Sequence, residues 1–430
     1  MINTIKYPDK STWAELLKRP ILDGFSLEET VNSILVDVRK NGDKAIRLYT
    51  KQFDKVDIEK TEVDSSEFIQ AENNISEELK SAIQLAKSNI EKFHNSQKEE
   101  KKVIETTAGV NCWRKSIAIQ KVGLYIPGGS APLFSTILML GVPAKIAGCS
   151  EIILCTPPDK NGKINDAILY TAKLVGITKV FKVGGVQAIA AMAFGTDTIP
   201  KTNKIFGPGN QYVTCAKQLV NKSGIAIDMP AGPSEVAVIA DETCIPAFVA
   251  ADLLSQAEHG ADSQVILVSI SEDTIDKVNS ELKKQLAQLP RKELAQKALE
   301  NSKAILVKTV EEGIDLLNEY APEHLIIACK NEEQIGESVI NAGSVFLGNY
   351  SCESAGDYAS GTNHTLPTNG YATAYSGVSL DSFVKKVTFQ KLTKEGIKNI
   401  GNAIELMAAA EGLDAHKNAV TLRINSINTI

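Results

Sequence analysis

The sequence has no long uninterrupted apolar run and no surplus of basic residues, and each absence excludes a class of protein. Its longest apolar stretch, residues 133–148, is interrupted by Ser135, Thr136, Pro143 and Lys145 and is too short to cross a bilayer. The net charge is −6, with basic and acidic side chains interspersed. We therefore expect no membrane span and no nucleic-acid partner.

The sequence also lacks paired cysteines and a secretion signal. Its seven cysteines are odd in number and form no CxxC pair, so we expect buried thiols of a reducing compartment rather than disulfides or a thiolate metal site. Residues 1–7 (MINTIKY) have neither an apolar core nor a cleavage signal. These features predict a cytoplasmic protein.

The 430 residues have the composition of an ordinary soluble globular protein with sizeable cores, 43% hydrophobic and 23% charged. Short apolar runs alternate with helical segments, which is typical of doubly wound parallel sheets. The predicted strands, with the turns that end them, are residues 122–129, 152–157, 180–185, 204–210, 236–240, 265–268, 304–307, 325–328 and 345–347.

The alternation occurs twice, with a change of unit near residues 230–233 (PAGP). It predicts an α/β fold of two Rossmann-like doubly wound α/β domains plus an N-terminal arm and a C-terminal helical tail. Past residue 380 we expect no further strands; Thr393 can cap a helix whose apolar stripe must dock on its own domain or on a second subunit. The predicted ranges are 1–20 for the arm, 21–122 with 236–376 for the metal and substrate domain, 123–235 for the nucleotide-binding domain and 377–430 for the tail that docks on the partner subunit.

Residues 252–260 (DLLSQAEHG) resemble the end of a helix that begins near Pro246 and that Gly260 can close in a left-handed conformation. On such a helix Gln256 and His259 project from one face and can hold two ligand positions of one metal ion. The alternative is a solvated polar face with a histidine at the negative end of the helix dipole. Two candidate ligands do not make a site, so the other ligands must come from elsewhere.

Three strand-to-helix turns are rich in glycine, at residues 128–129, 184–185 and 207–209. Glycine lets the backbone approach a phosphate, and the following helix supplies amide donors. The sequence contains no GxGxxG fingerprint, so plain turn chemistry remains the alternative for each turn.

Two further segments carry groups suited to catalysis. Glu323 and His324 offer a carboxylate beside an imidazole, which can serve as a general-base pair, although surface loops often contain such pairs. The polar segment 354–367 has no helical or strand period and is the kind of loop that usually forms a site. Within it, Asp357 is a candidate metal ligand and His364 can contact a substrate.

The end of the tail helix adds Glu411, which can neutralise a bound amine, and His416, a possible nitrogen ligand. Four of the five histidines fall in these segments, more than we expect from scattered surface histidines. Two nitrogen and two oxygen ligands would suit zinc, although manganese or cobalt could also bind; they are Gln256, His259, Asp357 and His416.

Taken in order, these motifs closely resemble the histidinol dehydrogenase family. The resemblance runs from about residue 122 to residue 423 and is less distinctive in the first hundred residues. The motifs that carry it are GLYIPGGSAPLFST, VGGVQAIAA, FGPGN, DMPAGPSE, DLLSQAEHG, PEHL, SAGDYASGTNH and AHKNAVTLR.

The resemblance implies a zinc- and NAD-dependent oxidation of L-histidinol to L-histidine through L-histidinal, in the last steps of histidine biosynthesis. Water would add to the aldehyde before the second hydride transfer. It further implies one zinc ion per site and a homodimer with shared active sites, in which His416 reaches the neighbouring subunit.

The same resemblance assigns roles to individual residues. The zinc ligands would be Gln256, His259, Asp357 and His416. His324 would be the general base, and Glu323 would activate water. The substrate would be held by Ser234, Gln256, His259, His324, Asp357, His364, Glu411 and His416. Tyr125, Gln187 and Asn210 would lie at the nucleotide.

Two other functions remain open at this point. One is a dehydrogenase of the same architecture that acts on a different amino alcohol or diol; retention of Ser234, His364 and Glu411 argues against it. The other is a zinc hydrolase in which Glu323 activates metal-bound water, which would leave the glycine turns without a role.

Overall fold

The structure is a computed structural model that describes residues 2–19, 25–128 and 132–428. Some predicted positions lie outside the described residues. They are the two ends of the predicted arm, at residues 1 and 20, the second glycine of the first glycine turn and the last two residues of the tail. The chain forms two compact units, Met1–Ser96 with Ile119–Phe383 and Gln97–Ala118 with Val384–Ile430.

The strands of the described residues are β1 (Asn3–Lys6), β2 (Ile104–Thr107), β3 (Val110–Ala118), β4 (Lys121–Tyr125), β5 (Glu151–Thr156), β6 (Lys179–Lys182), β7 (Lys204–Phe206), β8 (Ala226–Ile227), β9 (Glu235–Ala240), β10 (Gln264–Ser269), β11 (Lys303–Leu306), β12 (His324–Ala328), β13 (Ser344–Leu347) and β14 (Val384–Leu392).

The helices are α1 (Trp13–Leu16), α2 (Phe25–Asn41), α3 (Asp43–Phe53), α4 (Ser65–Asn74), α5 (Glu77–Asn95), α6 (Phe134–Ala147), α7 (Asp166–Leu174), α8 (Gly185–Phe194), α9 (Gln211–Lys222), α10 (Pro246–Ala257), α11 (Glu272–Leu286), α12 (Lys292–Glu300), α13 (Val310–Tyr320), α14 (Glu332–Gly336), α15 (Glu353–Tyr358), α16 (Lys394–Ala410) and α17 (Asp414–Asn428).

The larger unit contains two parallel sheets. One has the strand order β6-β5-β4-β7-β8 and the other the order β1-β11-β10-β9-β12-β13. In the five-stranded sheet the chain starts in the middle at β4, runs to one side and then returns to the other, which is the doubly wound arrangement. Strands β9 to β13 of the six-stranded sheet follow the same path, and β1 is added at its edge. Strands β9, β10 and β12 are buried along their whole length, as expected for parallel strands covered by helices on both faces. The predicted α/β class with parallel sheets and a C-terminal helical tail is confirmed.

Each of the nine predicted runs contains a strand, but the predicted N-terminal arm contains one as well. Residues 3–6 form β1, which pairs in parallel with β11 at the edge of the six-stranded sheet. This strand escapes prediction because its four residues, NTIK, contain a single apolar side chain and give too short a pattern. The start of the chain is therefore part of a sheet.

The helices between residues 25 and 95 pack on the five-stranded sheet. Val31 and Ile46 share a hydrophobic cluster with Ile153 of that sheet, and Ile83 and Ile90 belong to the cluster on its other face. The domain prediction from the sequence instead placed residues 21–122 in one domain with residues 236–376, which contain most of the six-stranded sheet. A helical apolar stripe shows which face is buried but does not identify the sheet that covers it. The four domain ranges themselves stay a prediction.

The smaller unit contains an antiparallel sheet of order β14-β3-β2 together with α16 and α17. The expectation that strands stop past residue 380 is wrong, because β14 spans nine residues and pairs with β3 along its length. Its sequence, VKKVTFQKL, has no apolar run that would reveal a strand. Thr393 caps α16 as predicted, since its side chain accepts a hydrogen bond from the Gly396 amide.

Helices α16 and α17 pack closely against each other in this unit. A Cβ atom on Gly401 would lie 2.5 Å from Cδ1 of Ile424, so a larger residue there would require the Ile424 side chain to shift. Several large apolar side chains of the two helices and of the turn between them nevertheless remain exposed: Leu406, Met407, Leu413 and Leu422.

Candidate active site

A cavity of about 320 Å³ lies in the larger unit between the two parallel sheets. On one side it is lined by the turn that follows β7, and on the other by residues just before β9 and at the start of β12. Eight predicted site residues from separate segments line it: Asn210, Ser234, Gln256, His259, Glu323, His324, Asp357 and His364.

Helix α10 brings the first two candidate metal ligands to the cavity. The helix begins at Pro246, as predicted, because a proline at the first helical position loses no hydrogen bond. It ends at Ala257 with a right-handed residue, and Gly260 does not adopt the left-handed conformation that we expected. Gln256 is buried and His259 is exposed. The Gln256 amide nitrogen donates to Glu323 Oε2 at 3.2 Å, while its Oε1 has no hydrogen-bond partner among the described residues.

Glu323 is a buried carboxyl group that is held in place from two directions. Besides the Gln256 amide, its Oε2 accepts the backbone N–H of Glu235 at 2.9 Å. Burial raises the pKa of Glu323 to about 7, an effect that His324 and the Glu235 amide oppose. A carboxyl group with this pKa can both accept and release a proton near neutral pH.

One ring nitrogen of His324 faces a backbone carbonyl group. Its Nδ1 lies 3.2 Å from the carbonyl oxygen of Glu235, and because a carbonyl can only accept, Nδ1 carries a hydrogen. Nε2 has no hydrogen-bond partner among the described residues and lies 3.7 Å from Asp357 Oδ1. Burial lowers the pKa of His324, but Glu323, Glu353 and Asp357 outweigh this effect and raise the pKa to about 10. The carboxylates thus surround His324 with negative charge that favours a cation here.

The polar segment 354–367 is partly helical, contrary to expectation. Its first residues belong to α15, which turns Asp357 toward the cavity. Burial would raise the pKa of Asp357, but the nearby His324, His364 and His259 lower it. His364 Nδ1 lies 2.9 Å from the Asp357 carbonyl oxygen, and its Nε2 lies 3.1 Å from the Thr136 hydroxyl.

One carboxylate of this cluster was missed by sequence reasoning. The ligand atoms of His259, Glu353 and Asp357 all lie within 4.8 Å of one another. Glu353 and Asp357 are four residues apart on α15 and so share one face of the helix. That spacing is visible in the sequence, but it carries meaning only if the segment is known to be helical. Together with the unpartnered Gln256 Oε1, these nitrogen and oxygen donors fit a divalent cation such as zinc.

Glu411 and His416 belong to the smaller unit. Glu411 directly follows α16, and His416 lies in the first turn of α17. Both side chains are exposed in this chain.

The predicted nucleotide residues lie around the glycine turns of the five-stranded sheet. Tyr125 is buried, and its hydroxyl accepts the Gly185 N–H at 3.0 Å. Gln187 is also buried, and neither atom of its amide has a hydrogen-bond partner among the described residues. Asn210 caps α9 by accepting the amides of Tyr212 and Val213, at 3.1 and 3.2 Å.

The turn after β7 requires its first glycine. Gly207 has a φ of 129°, and a Cβ atom there would collide with the carbonyl oxygen of Tyr125. The turn can therefore bring its backbone close to a ligand only with glycine at this position.

The sequence model of the family described as histidinol dehydrogenase matches residues 17–424 of the chain. The chain belongs to the histidinol dehydrogenase family. Among similar members, the histidinol dehydrogenase of Bacteroides thetaiotaomicron is 64% identical over 427 residues, which are 99% of this chain and 100% of the relative. That of Escherichia coli is 52% identical over 416 residues, covering 96% of this chain and 95% of the relative.

Similarity to this family extends to plants and to solved structures. The chloroplastic histidinol dehydrogenase of Arabidopsis thaliana is 53% identical over 415 residues, covering 96% of this chain and 89% of the relative. A crystal structure of histidinol dehydrogenase from Elizabethkingia anophelis superposes with a TM-score of 0.98 at 59% identity, and 99% of each chain is covered.

Membership of the histidinol dehydrogenase family gives the chain its function. It is an oxidoreductase of histidine biosynthesis, with histidinol as its substrate. Neither the hydrolase nor a dehydrogenase for another amino alcohol agrees with relatives this similar over the full chain. Within the described part of the chain, no helix combines the length and apolarity that a membrane span needs.

Proposed function

We propose that this histidinol dehydrogenase uses zinc and NAD to oxidise L-histidinol first to L-histidinal and then to L-histidine. The observation that carries the proposal is His324 Nε2, a buried ring nitrogen without a partner among the described residues, at the wall of a cavity that Asp357 and Gln256 also line. It is the arrangement that a base needs to receive a proton from a substrate bound there.

Gln256, His259 and Asp357 would hold one metal ion, with the partner's His416 as the fourth protein ligand. The unpartnered Oε1 of buried Gln256 supports its role, because a buried acceptor without a donor is costly. A bound zinc ion would fix the amine and imidazole of histidinol, so that positioning is its main contribution.

In the first oxidation His324 accepts the hydroxyl proton of histidinol at Nε2 while the carbinol carbon loses hydride. The Glu235 carbonyl keeps a hydrogen on Nδ1, so the ring exchanges its proton at Nε2. A bound zinc ion would offset the carboxylates that raise the pKa of His324 and would thereby favour the neutral ring, whose Nε2 can accept. Bound NAD supplies the hydride acceptor for this step and the next. A turn lined by Gly207, Gly209 and Asn210 opens on the same cavity, which supports nucleotide contacts at Asn210 and at nearby Tyr125 and Gln187.

In the second oxidation the aldehyde has no hydroxyl proton to lose, so water must add first to give the diol. Glu323 accepts the proton of this water, and its pKa of about 7 suits the transfer. His324 then removes a diol proton as the second hydride leaves, and the product is the carboxylate. Ser234, His364 and Glu411 would complete the contacts to substrate.

We further propose a homodimer in which α16 and α17 meet a partner, as the exposed Leu406, Met407 and Leu422 suggest on physical grounds. The dimer would supply His416 and Glu411 to the neighbouring cavity. Seven free cysteines support a cytoplasmic location, where thiols stay reduced.

The test is an assay of purified protein with L-histidinol and NAD, in which NADH absorbance and histidine are measured together. We expect two NADH per histidine, loss of activity with a chelator and recovery with zinc. Failure to form NADH would refute the dehydrogenase mechanism, and full activity after complete metal removal would refute the role of zinc.

A further inference from the structure

Arg19 is a largely buried cation that belongs to neither the proposed metal site nor the proposed nucleotide site. Its Nε donates to Oε1 of Glu235, and its Nη2 donates to Oε2 at 2.9 Å. The backbone N–H of Asn369 also donates to Glu235 Oε1, at 2.8 Å. Both carboxylate oxygens therefore meet donors, and a proton on either oxygen would have no acceptor among these groups. The contact is a two-armed ion pair, although burial raises the pKa of Glu235.

Glu235 is the residue whose backbone holds both proposed bases. Its N–H donates to Glu323 Oε2 at 2.9 Å, and its carbonyl oxygen lies 3.2 Å from His324 Nδ1. Glu235 is the first residue of β9, so its position depends on what fixes its side chain as well as on the sheet. A shift of Glu235 would move the donor to Glu323 and the acceptor for His324 together.

Arg19 also holds the turn that leads to these two bases. Its Nη2 donates at 2.6 Å to the carbonyl oxygen of Tyr320, the last residue of α13, and the guanidinium carbon lies 4.1 Å from the centroid of the Tyr320 ring. Ala321 follows with a φ of 50°, a left-handed conformation that is costly for a residue with a Cβ atom. Arg19 thus satisfies a carbonyl group at the helix end and stabilises a strained turn two residues before Glu323.

The segment that carries Arg19 is itself fixed to the six-stranded sheet. The side-chain amide of Gln264, the first residue of β10, donates to the Lys18 carbonyl at 3.2 Å. The oxygen of the same amide accepts the Tyr320 hydroxyl at 2.9 Å. Arg19 therefore reaches Glu235 and Tyr320 from a fixed backbone.

We propose that Arg19 is a positioning residue for both oxidations, which acts through Glu235 and Tyr320 to hold His324 and Glu323 in place. This inference rests on the proposed function, because it concerns the two bases proposed there. Arg19 contacts the residues behind the bases rather than the substrate. Its loss should therefore slow proton transfer, which depends on the exact placement of the bases, and should leave the binding of substrate, NAD and zinc nearly unchanged.

The test compares the full-length Arg19→Met variant with the unchanged protein. Steady-state NADH formation gives kcat and KM for histidinol, titration with NADH gives the nucleotide affinity, and competition with a chromophoric chelator gives the zinc affinity. We expect kcat to fall on the order of 10²-fold, while KM and the two affinities change less than about threefold. An unchanged kcat would overturn the proposal. A loss of zinc and nucleotide affinity as large as the loss of kcat would also overturn it, because general loosening of the fold produces that result.

The matched control is Arg47→Met, which removes another arginine of the larger unit. Arg47 pairs with Asp57, and both side chains are about half exposed, so this pair contributes little to stability. We expect kcat of the control to stay within about twofold of the unchanged protein. An equal fall of kcat in Arg47→Met and Arg19→Met would show a general effect and reject the role of Arg19.

Thermal unfolding checks that Arg19→Met is folded at the assay temperature, and Arg19→Lys decides the question if it is not. Lysine keeps the charge, but it lacks the planar fork that binds Glu235 and Tyr320 at once. We expect kcat of Arg19→Lys to fall about tenfold with KM nearly unchanged, and an unchanged kcat would reject the proposal. Failure of the unchanged protein to form NADH from histidinol would instead refute the proposed function, so the two failures can be distinguished.

Discussion

The ammonium nitrogen of Lys217 lies 2.5 Å from Oδ1 of Asp228, and both side chains are buried. The same nitrogen donates to the Gly207 carbonyl at 2.8 Å, and the Gly207 amide donates to Asp228 Oδ2 at 2.8 Å. The ion pair therefore holds both polar groups of Gly207 and fixes the turn that leads to Asn210. A buried charge pair with this many hydrogen bonds keeps this turn of the proposed nucleotide site in one conformation.

Lys217→Met should unfold at a lower temperature and bind NAD more weakly. The substitution leaves Asp228 buried without its cation, which costs about 3–5 kcal/mol, and it releases the Gly207 turn. Thermal unfolding and titration with NADH, followed by fluorescence, measure the two effects. The control is Lys222→Met. Lys222 lies on the same helix as Lys217, is largely exposed and pairs with Glu28, so its removal should lower the free energy of unfolding by only about 0–1 kcal/mol. Equal losses of stability and of NAD affinity in the two variants would show that the Lys217–Asp228 pair does not fix the Gly207 turn.

Glu323→Gln should slow histidine formation by about 10²- to 10⁴-fold while zinc binding changes little. The amide can still accept the Glu235 N–H but cannot take a proton from water. Rapid mixing with histidinol or with histidinal measures the two oxidations separately, and we expect the larger effect with histidinal. Glu319→Gln, an exposed carboxyl group on the preceding helix, is the matched control. An unchanged rate with histidinal would remove Glu323 from the role of water activation.

The sequence predicts nine of the parallel strands because each is a compact apolar run, as in β9 and β12, and it does not predict β1 or β8, which are too short to show one. It does not predict β14, whose nine residues include three lysines and no apolar run, or α15, whose six residues are too few to show a period. The sequence therefore does not predict that Glu353 belongs to this cluster, although Glu353 lies four residues before a predicted ligand. Glu323 and His324 lie at the amino end of β12, away from the carboxyl edge where ligands usually bind in such sheets. Only the family resemblance predicts that these two residues lie near Gln256, because the topological rule places ligands at the other edge of the sheet.

A mixture of His416→Ala and His259→Ala subunits should regain activity that neither variant has alone. If each site combines one chain's cavity with the partner's His416, a mixed dimer contains one site with both histidines intact. Random exchange then restores about a quarter of the wild-type activity, measured as NADH formation after coexpression. The control mixture, His259→Ala with Glu323→Gln, should stay inactive because both changes lie in the larger unit and every site keeps one of them. Activity that does not return in mixed dimers of verified composition would contradict shared sites.

Asp54→Asn should stabilise the protein at alkaline pH but not at acidic pH. Burial raises the pKa of Asp54 from 3.8 to about 6, and its Oδ2 has no hydrogen-bond partner among the described residues. Because the folded pKa lies above the unfolded one, the fold favours the protonated carboxyl group. This stabilisation is complete below pH 3.8 and is lost as the pH rises through 6. The neutral amide avoids the loss, which is on the order of 1 kcal/mol for a group that water partly reaches. Thermal unfolding at pH 4 and pH 8 measures this difference in stability between Asp54→Asn and the unchanged protein.

The control is Asp57→Asn. Arg47 and Lys51 pair with Asp57 at 2.8 and 2.9 Å and lower its pKa, so removing this charge should give no gain in stability at pH 8. An equal shift of the Asp54→Asn midpoint at both pH values would show that burial of the charge is not the cause.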